Sequence, residues 1–245
     1  MKPPVLNISH NHISCNACSL NQICLPNGLS SKELDELDST IDKTLKFKKK
    51  TSIFTVNDPL DGIYAVKSGA VKTSISNQDG LEQILEFHLP GDILGFDAFD
   101  TNKHKCSATA LEDTMLCKIS MDVFDDLCSR LPGVRKVMFH QVGKEITHSQ
   151  KMLLSLGQQH ADERFAVFLL KIATHYQSRG FSNNEFILPM PRQDLSNYLG
   201  MAVETLSRIV SRMTEEGILK FDRRMVTIID RNKLETLAHS SCGSK

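Results

Sequence analysis

The chain has 245 residues, which allows about two globular domains with real hydrophobic cores. Lys plus Arg and Asp plus Glu both number 29, so the formal net charge is zero and any binding of nucleic acid must rest on local placement of charge rather than on bulk charge. No apolar run approaches the roughly 18 residues of a membrane span, and the N-terminus lacks the apolar core of a signal peptide, so we predict a cytoplasmic protein.

Seven cysteines are present, an odd number that argues against a disulfide framework in a cytoplasmic chain. Cys15, Cys18 and Cys24 form a C-x2-C-x5-C pattern, and thiolates this close in sequence can converge on zinc, copper(I) or an iron–sulfur cluster. A triplet with one distant cysteine fits a cubane iron–sulfur cluster better than structural zinc, whose ligands usually come in two short pairs. Instead of binding a metal, these three cysteines could react with oxidants as free thiols or simply be buried packing residues. Spacing alone leaves the fourth ligand open among Cys106, Cys117, Cys128 and Cys242.

The next segments predict a short helix followed by a β-rich domain. A serine before an acidic first turn predicts a capped helix within Leu29–Leu37. The basic run Lys46–Lys50 is interpreted as a solvated strand edge. From Thr51 to Ile119, short segments separated by turn residues predict an all-β roll or barrel. The predicted strands are Ser52–Val56, Gly62–Lys67, Ala70–Ser76, Glu82–Leu89 and Thr114–Ile119.

A long helix is predicted from about Gly133 to Leu156, because apolar residues recur there with a period of about 3.5–3.6 residues. Such a stripe fits a seam with the same helix of a second copy, burial against the chain's own β-roll, or both on two faces. The stripe consists of Val134, Met138, Val142, Ile146, Met152, Leu153 and Leu156. Another helix opens at Asp162 and ends near Ser178.

A helix-turn-helix is predicted in residues 192–210. Leu195, Tyr198 and Leu199 share one helical face, and Gly200 permits a tight turn. The second helix is expected to end at Gly217. Its inward residues are expected to be Val203, Leu206, Ile209, Val210 and Met213.

The outward face of that second helix carries Glu204, Ser207 and Arg208 at its N-terminal end, where a recognition helix reads bases. An arginine can donate two hydrogen bonds to the N7 and O6 edge of guanine, a glutamate can accept one from the amino group of cytosine, and a serine can bond to either base. A solvated face is the alternative, but the preceding helix, the turn and the following hairpin favour base reading. A β-hairpin is predicted after this helix, with strands Ile218–Phe221 and Met225–Ile229 joined by the turn Asp222-Arg223-Arg224. We interpret it as a wing whose two arginines contact DNA phosphates.

These motifs together resemble a known family. Gly62–Lys72 and Pro90–Gly95 look like the β-roll signatures of the CRP/FNR superfamily, and the cysteine triplet and Val203–Arg208 are similar to those of its oxygen-responsive FNR branch. The resemblance covers about Cys15 to Leu237 and implies an α+β fold. It implies a cluster-binding segment at 1–29, a β-roll at 30–130, a dimerisation helix at 131–157 and a winged helix-turn-helix at 158–245.

The resemblance also implies site residues and partners. FNR proteins hold one 4Fe–4S cluster per subunit, and the matching ligands are Cys15, Cys18, Cys24 and Cys117. The implied partners are a second copy of the chain, RNA polymerase and a palindromic double-stranded DNA site. The matching dimer positions are Arg135, Phe139, Val142, Ile146 and Leu153. The implied DNA contacts are Arg192, Glu204, Thr205, Ser207, Arg208, Arg223 and Arg224.

Departures from the family pattern qualify these expectations. Gly91–Ile93 and His104–Cys106 lack the phosphate-binding arginine of the CRP branch, so a cyclic nucleotide is not expected. Ser149 replaces an acidic residue of the best-known FNR proteins, so the subunits need not separate completely without the cluster. Ala202 cannot cap the recognition helix. The alternative function is a regulator of the same fold that senses redox through thiols or zinc, or a ligand such as haem. An enzyme is not expected, because no nucleophile–base pair stands out.

Overall fold

The computed structural model describes residues 15, 18–20, 24, 29–40 and 43–239. The chain divides into two compact units, Met1–Glu145 and Ile146–Lys245. The predicted α+β fold is confirmed, with strands concentrated in the first unit and helices in the second. Within the part of the chain that the structure describes, none of the helices combines the length and the hydrophobicity needed to cross a bilayer.

The first unit is built from two antiparallel sheets of four strands each, in the orders β1-β8-β3-β6 and β2-β7-β4-β5. Its strands are β1 Lys43–Phe47, β2 Ser52–Phe54, β3 Gly62–Ser68, β4 Val71–Ser76, β5 Glu82–His88, β6 Ile93–Leu94, β7 Ser107–Ala110 and β8 Thr114–Ser120. Its helices are α1 Ser31–Thr40, α2 Met121–Arg130 and the first part of α3 Pro132–Gln158.

The strand alternation divides this unit into two cores. Along β3, Tyr64 and Val66 point into a core shared by the two sheets, whereas Ile63 and Ala65 point to the opposite face. That opposite face packs against α1, α2 and the start of α3, where Leu37, Leu127 and Val134 are buried. The sheet that contains β3 and β8 is therefore covered on both faces.

The predicted strands of the roll are confirmed, but β6 and β7 were missed, and only the C-terminal end of β1 was anticipated, as a strand edge within Lys46–Lys50. The strand β6 has two residues and β7 has four, mostly small, so neither gives a clear period-2 pattern. The interpretation of Lys46–Lys50 as a solvated edge is confirmed, since β1 is the edge strand of its sheet and Lys48 to Lys50 are exposed.

The second unit contains α4 Ala161–Ser178, α5 Arg192–Tyr198, α6 Val203–Glu215 and α7 Arg231–Ala238, together with the C-terminal part of α3. A three-stranded antiparallel sheet, in the order β10-β11-β9, adjoins them. Its strands are β9 Glu185–Ile187, β10 Leu219–Asp222 and β11 Met225–Ile228. The predicted wing hairpin is confirmed as β10 and β11, whereas the third strand and α7 were not anticipated.

The long helix α3 is confirmed, and its apolar residues differ in burial. Val134, Val137 and Met138 are buried in the core of the first unit, which confirms that part of the apolar stripe packs against the chain's own β-roll. Phe139, Ile146 and Leu153 are exposed by 72%, 55% and 72%. Large apolar side chains therefore remain on the surface along most of the helix.

Candidate functional site

The helix-turn-helix is held by two glycines in the left-handed conformation. Gly200 has a φ of +61°, and after α5 its amide donates to the carbonyl of Asn197 while that of Met201 donates to Ser196. Gly217 has a φ of +67° and ends α6 in the same way. In both places these bonds satisfy the carbonyls of the last helical turn, as in a Schellman motif. The predicted turn and the predicted helix end are confirmed.

The second helix of this motif, α6, places its predicted reading side chains outward. Glu204 and Arg208 are exposed and Ser207 is half-buried, while Leu206, Ile209, Val210 and Met213 are buried. The expectation that Val203 points inward is wrong, because this first residue of the helix is 37% exposed. Ala202 occupies the N-cap without a side-chain hydrogen bond, as expected from its methyl group.

An arginine that the sequence reasoning missed fixes this motif in place. From the first turn of α4, the Arg164 guanidinium donates from Nε to the Leu199 carbonyl (2.8 Å), from Nη1 to Gln159 (2.7 Å) and from Nη2 to Gly200 (3.3 Å). Leu199 and Gly200 are the turn between α5 and α6. Arg164 therefore connects α4 to the turn that sets the direction of α6, and no local sequence pattern marks such a long-range contact.

The wing arginines have different surroundings. Arg223 is exposed at the tip of the hairpin, with a φ of +53°. Arg224 is half-buried, and its Nε donates to the Leu188 carbonyl at 2.8 Å, so part of its guanidinium already holds the hairpin to the chain before α5. The Arg192 guanidinium lies over the ring of Phe221 in β10, 4.8 Å from its centre, which links α5 to the wing by a cation–π contact. Arg223 is therefore the more available of the two for phosphates.

In the first unit, strand alternation decides where Cys117 lies. It belongs to β8, opposite Thr44 of β1 and Ala65 of β3. Its neighbour Leu116 is buried in the core between the sheets, so Cys117 faces the other way, toward the helices. Cys15 and Cys24 pack against that same helix-side core. The fourth candidate cysteine therefore lies on the face of the roll to which the triplet is attached.

The electrostatic neighbours of the thiols support this grouping. Burial, the Asp38 carboxylate and the neighbouring Cys117 and Cys24 together raise the pKa of Cys15 to about 12. The pKa of Cys117 is also raised, mainly by burial and further by Cys18. The nearby Lys67 ammonium and a hydrogen bond with Thr44 offset part of this increase in pKa. Each of the four candidate cysteines thus interacts with at least one other. These raised pKa values mean that binding of a metal would have to displace protons.

The remaining cysteines have other surroundings. Cys106 is buried in the core between the two sheets, where its thiol donates to Asp97 at 3.3 Å. Cys128 packs against the helix-side core, but its charged neighbours are Asp125 and Arg135 rather than cysteines. Cys242 lies outside the described residues. Among the residues that the structure does describe, no three His, Cys, Asp or Glu side chains are arranged so as to hold a metal ion.

The stretches that match the nucleotide pocket of the CRP branch are engaged in internal bonds. The Asp92 carboxylate accepts the Leu89 amide at 2.8 Å and so closes its own turn. His104 is fully buried, stacks on Phe54 with ring centres 3.6 Å apart and contacts Asp97 through Nδ1. Burial raises the pKa of Asp97, but bonds from His104 and the Lys105 amide hold it below its usual value. A carboxylate therefore lies beside His104–Cys106, the stretch where the resemblance would place the phosphate of a nucleotide.

Family models match both units of the chain. Residues 44–131 match the cyclic nucleotide-binding domain, and residues 163–237 match the Crp-like helix-turn-helix domain. The chain is 40% identical to the fumarate and nitrate reduction regulatory protein of Vibrio cholerae, over 95% of this chain and 93% of that protein. The chain belongs to the FNR branch of the CRP/FNR family. It is accordingly a transcription regulator with a helix-turn-helix DNA-binding domain.

Other relatives and a solved structure agree with this membership. The anaerobic regulatory protein of Pasteurella multocida is 41% identical over 89% of this chain and 80% of that protein. The transcriptional activator protein Anr of Pseudomonas protegens is 39% identical over 98% and 99% of the two chains. Among solved structures, FixK2 of Bradyrhizobium japonicum superposes with a TM-score of 0.74 and 30% identity, over 80% of this chain and 96% of that chain.

Proposed function

We propose that this regulator responds to oxygen in the cytoplasm through a 4Fe–4S cluster held by Cys15, Cys18, Cys24 and Cys117. In this proposal the cluster controls whether two copies of the chain pair and bind a palindromic promoter site. Genes of anaerobic metabolism would be activated, through contacts with RNA polymerase, or repressed. The observation that carries the proposal is the position of Cys117, which the alternation of β8 directs to the face where Cys15 and Cys24 pack.

The donor set fits an iron–sulfur cluster. Four thiolates are the usual ligands of a 4Fe–4S centre, and hydrogen bonds to the ligand sulfurs tune the properties of such centres. Thr44 hydrogen-bonds to Cys117, and Lys67 places a positive charge near it, which offsets part of the negative charge that four thiolates bring. When bound, the cluster would supply the centre that reacts with oxygen. The chain supplies the ligands, their partial burial and the packing of Cys15, Cys24 and Cys117 against the helix-side core.

Pairing of two copies is supported by the exposed apolar side chains of α3. Phe139, Ile146 and Leu153 are large, exposed and spaced by seven residues, which is the spacing of a seam between two helices. Contact between two such helices would remove this apolar surface from water. Ser149, exposed on the same helix, adds no charge to the seam, so we expect the protein without cluster to keep some tendency to dimerise.

DNA binding is assigned to α6 and the wing. In a dimer the two copies of α6 would enter successive major grooves about 34 Å apart. In this proposal Arg208, exposed near the start of α6, reads guanine, with Glu204 and Ser207 beside it. Arg223, exposed at the wing tip, would contact a phosphate. We also assign a contact role to Thr205 and, in part, to Arg192 and Arg224. Because two half-sites are contacted together, separation of the copies forfeits most of the binding free energy.

The decisive experiment measures iron, acid-labile sulfide and the absorption spectrum of protein purified without air, before and after an oxygen pulse. We expect about four irons and four sulfides per chain, a brown colour that bleaches in air, and at the same time a shift from dimer towards monomer in sedimentation. Cys24→Ser should lose the cluster and keep its fold. The matched control Cys128→Ser removes a thiol from the same core and should retain the cluster. Zinc, or no metal, in the wild-type protein would refute the cluster and redirect the sensing function to thiol or zinc chemistry.

A further inference from the structure

The helix α1 is fixed firmly to the helices that follow the roll. Its N-terminus forms a capping box, in which the Ser30 amide donates to Glu33 Oε2 at 3.0 Å. The other carboxylate oxygen of Glu33 accepts the amide of Gly133, in the first turn of α3, at 2.8 Å. A hydrogen bond from the Ser30 hydroxyl, together with the two amide bonds, holds the pKa of Glu33 below its usual value, so the carboxylate stays charged as an acceptor. One end of α1 is therefore attached to the start of the long helix.

Two further contacts extend this attachment along α1. Glu36 forms an ion pair with Arg130, the last residue of α2, at 3.0 Å. Leu37 is almost fully buried in the helix-side core, together with Leu127 and Val134. A displacement of α1 would break all of these contacts at once, so the helix and the α2–α3 junction are expected to move together.

The next residue, Asp38, contacts the cysteine segment. Its Oδ1 accepts the backbone amide of Cys15 at 2.6 Å, across 23 residues of sequence. The same carboxylate lies near the Cys15 thiol, with which it also forms a hydrogen bond. A carboxylate that accepts a backbone amide makes a charge-assisted bond, which is shorter and stronger than a neutral one.

We propose that Asp38 is a positioning residue for Cys15, and that α1 transmits the position of the cysteine segment to the start of α3. The proposal rests on the assignment of Cys15 as a cluster ligand. Asp38 accepts the Cys15 amide and also hydrogen-bonds to the Cys15 thiol. A thiolate bound to iron has no proton to donate, so the amide bond is the contact through which Asp38 would orient the ligand. A displacement of Cys15 would then move α1 through Asp38, near one end of the helix. Glu33, near the other end, would pass that movement to Gly133 in α3.

The first test needs no cluster. Hydrogen–deuterium exchange of the full chain, reduced and free of metal, measures protection of the Cys15 amide. Asp38→Ala removes the acceptor and should accelerate exchange of this amide about tenfold or more. Asp38→Asn keeps an oxygen acceptor without the charge and should restore part of the protection. Asp35→Asn, the matched control, removes a carboxylate from the same helix and should leave the Cys15 amide unchanged.

The second test measures the rate at which iron is lost to a chelator, without air, from protein loaded with the cluster. We expect loss to be several times faster in Asp38→Ala than in the wild type and the Asp35→Asn control, with Asp38→Asn between them. In the wild type, cluster loading should also slow exchange of the Gly133 amide, and Asp38→Ala should weaken this effect. Circular dichroism of each variant confirms that the roll is folded.

The outcomes separate the two proposals. If the wild type holds no iron, the cluster assignment fails, while amide exchange still tests the bond between Asp38 and Cys15. If Asp38→Ala leaves both amide exchange and iron loss within about twofold of the wild type, Asp38 is not a positioning residue. An equal effect of Asp35→Asn would also refute the proposal, because it would indicate a general effect of charge. Protection of Gly133 that is independent of Asp38 would refute transmission through α1.

Discussion

Replacement of Arg164 tests how the helix-turn-helix is held in place. The guanidinium makes two short bonds, to the carbonyls of Leu199 and Gln159, and a longer one to Gly200. A hydrogen bond to a charged group contributes about 1.5–3 kcal/mol, and bonds made by one side chain are not additive. We therefore expect Arg164→Ala to destabilise the α5–α6 motif by about 3 kcal/mol. Arg164→Lys can make one of these bonds and should recover about half of this loss.

The assay is hydrogen–deuterium exchange of the full chain, read in the peptides that cover α5 and α6. A loss of about 3 kcal/mol corresponds to roughly a hundredfold faster opening, if exchange proceeds through local unfolding. Arg208→Ala is the matched control, since it removes an exposed arginine from the same motif. An effect of Arg164→Ala below about 1 kcal/mol, or equal to that of the control, would show that backbone contacts alone hold the turn.

Three further predictions concern the turn, the reading helix and the dimer seam. Gly200→Ala should lower the free energy of unfolding by about 1–2 kcal/mol, because a φ of +61° is unfavourable for a residue with a Cβ. The added Cβ would also lie 2.8 Å from Leu156 Cδ2, and thermal unfolding of the variant measures the loss. Arg208→Ala should weaken DNA binding by about 1–3 kcal/mol and relax the sequence preference at one base pair. Fluorescence anisotropy with a set of DNA sites substituted at single base pairs measures both effects. An equal loss of affinity for every site would indicate a phosphate contact instead. Phe139→Glu should place like charges across the seam and shift the cluster-loaded protein to a monomer in sedimentation, and an unchanged dimer would exclude this part of α3 from the interface.

Much of the second unit could be predicted from the sequence, because its determinants are local. The glycines at 200 and 217 adopt the left-handed backbone that their lack of a Cβ permits. The i, i+3, i+4 spacing of Leu195, Tyr198 and Leu199 defines a buried face whatever packs on it. Val203 was misjudged because it lies in the first turn of α6, where apolar periodicity does not reveal that the residue stays 37% exposed.

The contacts between distant segments could not be predicted in this way. Arg164 and Arg224 donate to backbone carbonyls 35 and 36 residues away, and any arginine in a helix or hairpin could equally face solvent. The strand β6 has only two residues and owes its existence to pairing with β3. The bond from Asp38 to the Cys15 amide likewise depends on where α1 packs.

The cysteines show this division most directly. By itself, the sequence determined that three thiols lie close enough to share a metal centre, because a short loop brings them together at little entropic cost. It could not determine which distant cysteine lies beside them, since sequence spacing alone does not distinguish Cys106, Cys117 and Cys128. In the tertiary structure, alternation along β8 directs Cys117 to the helix-side face near Cys15, and the stacking of the two sheets encloses Cys106 on the other side. Cys128 lies against the same helix-side core, but its charged neighbours are Asp125 and Arg135.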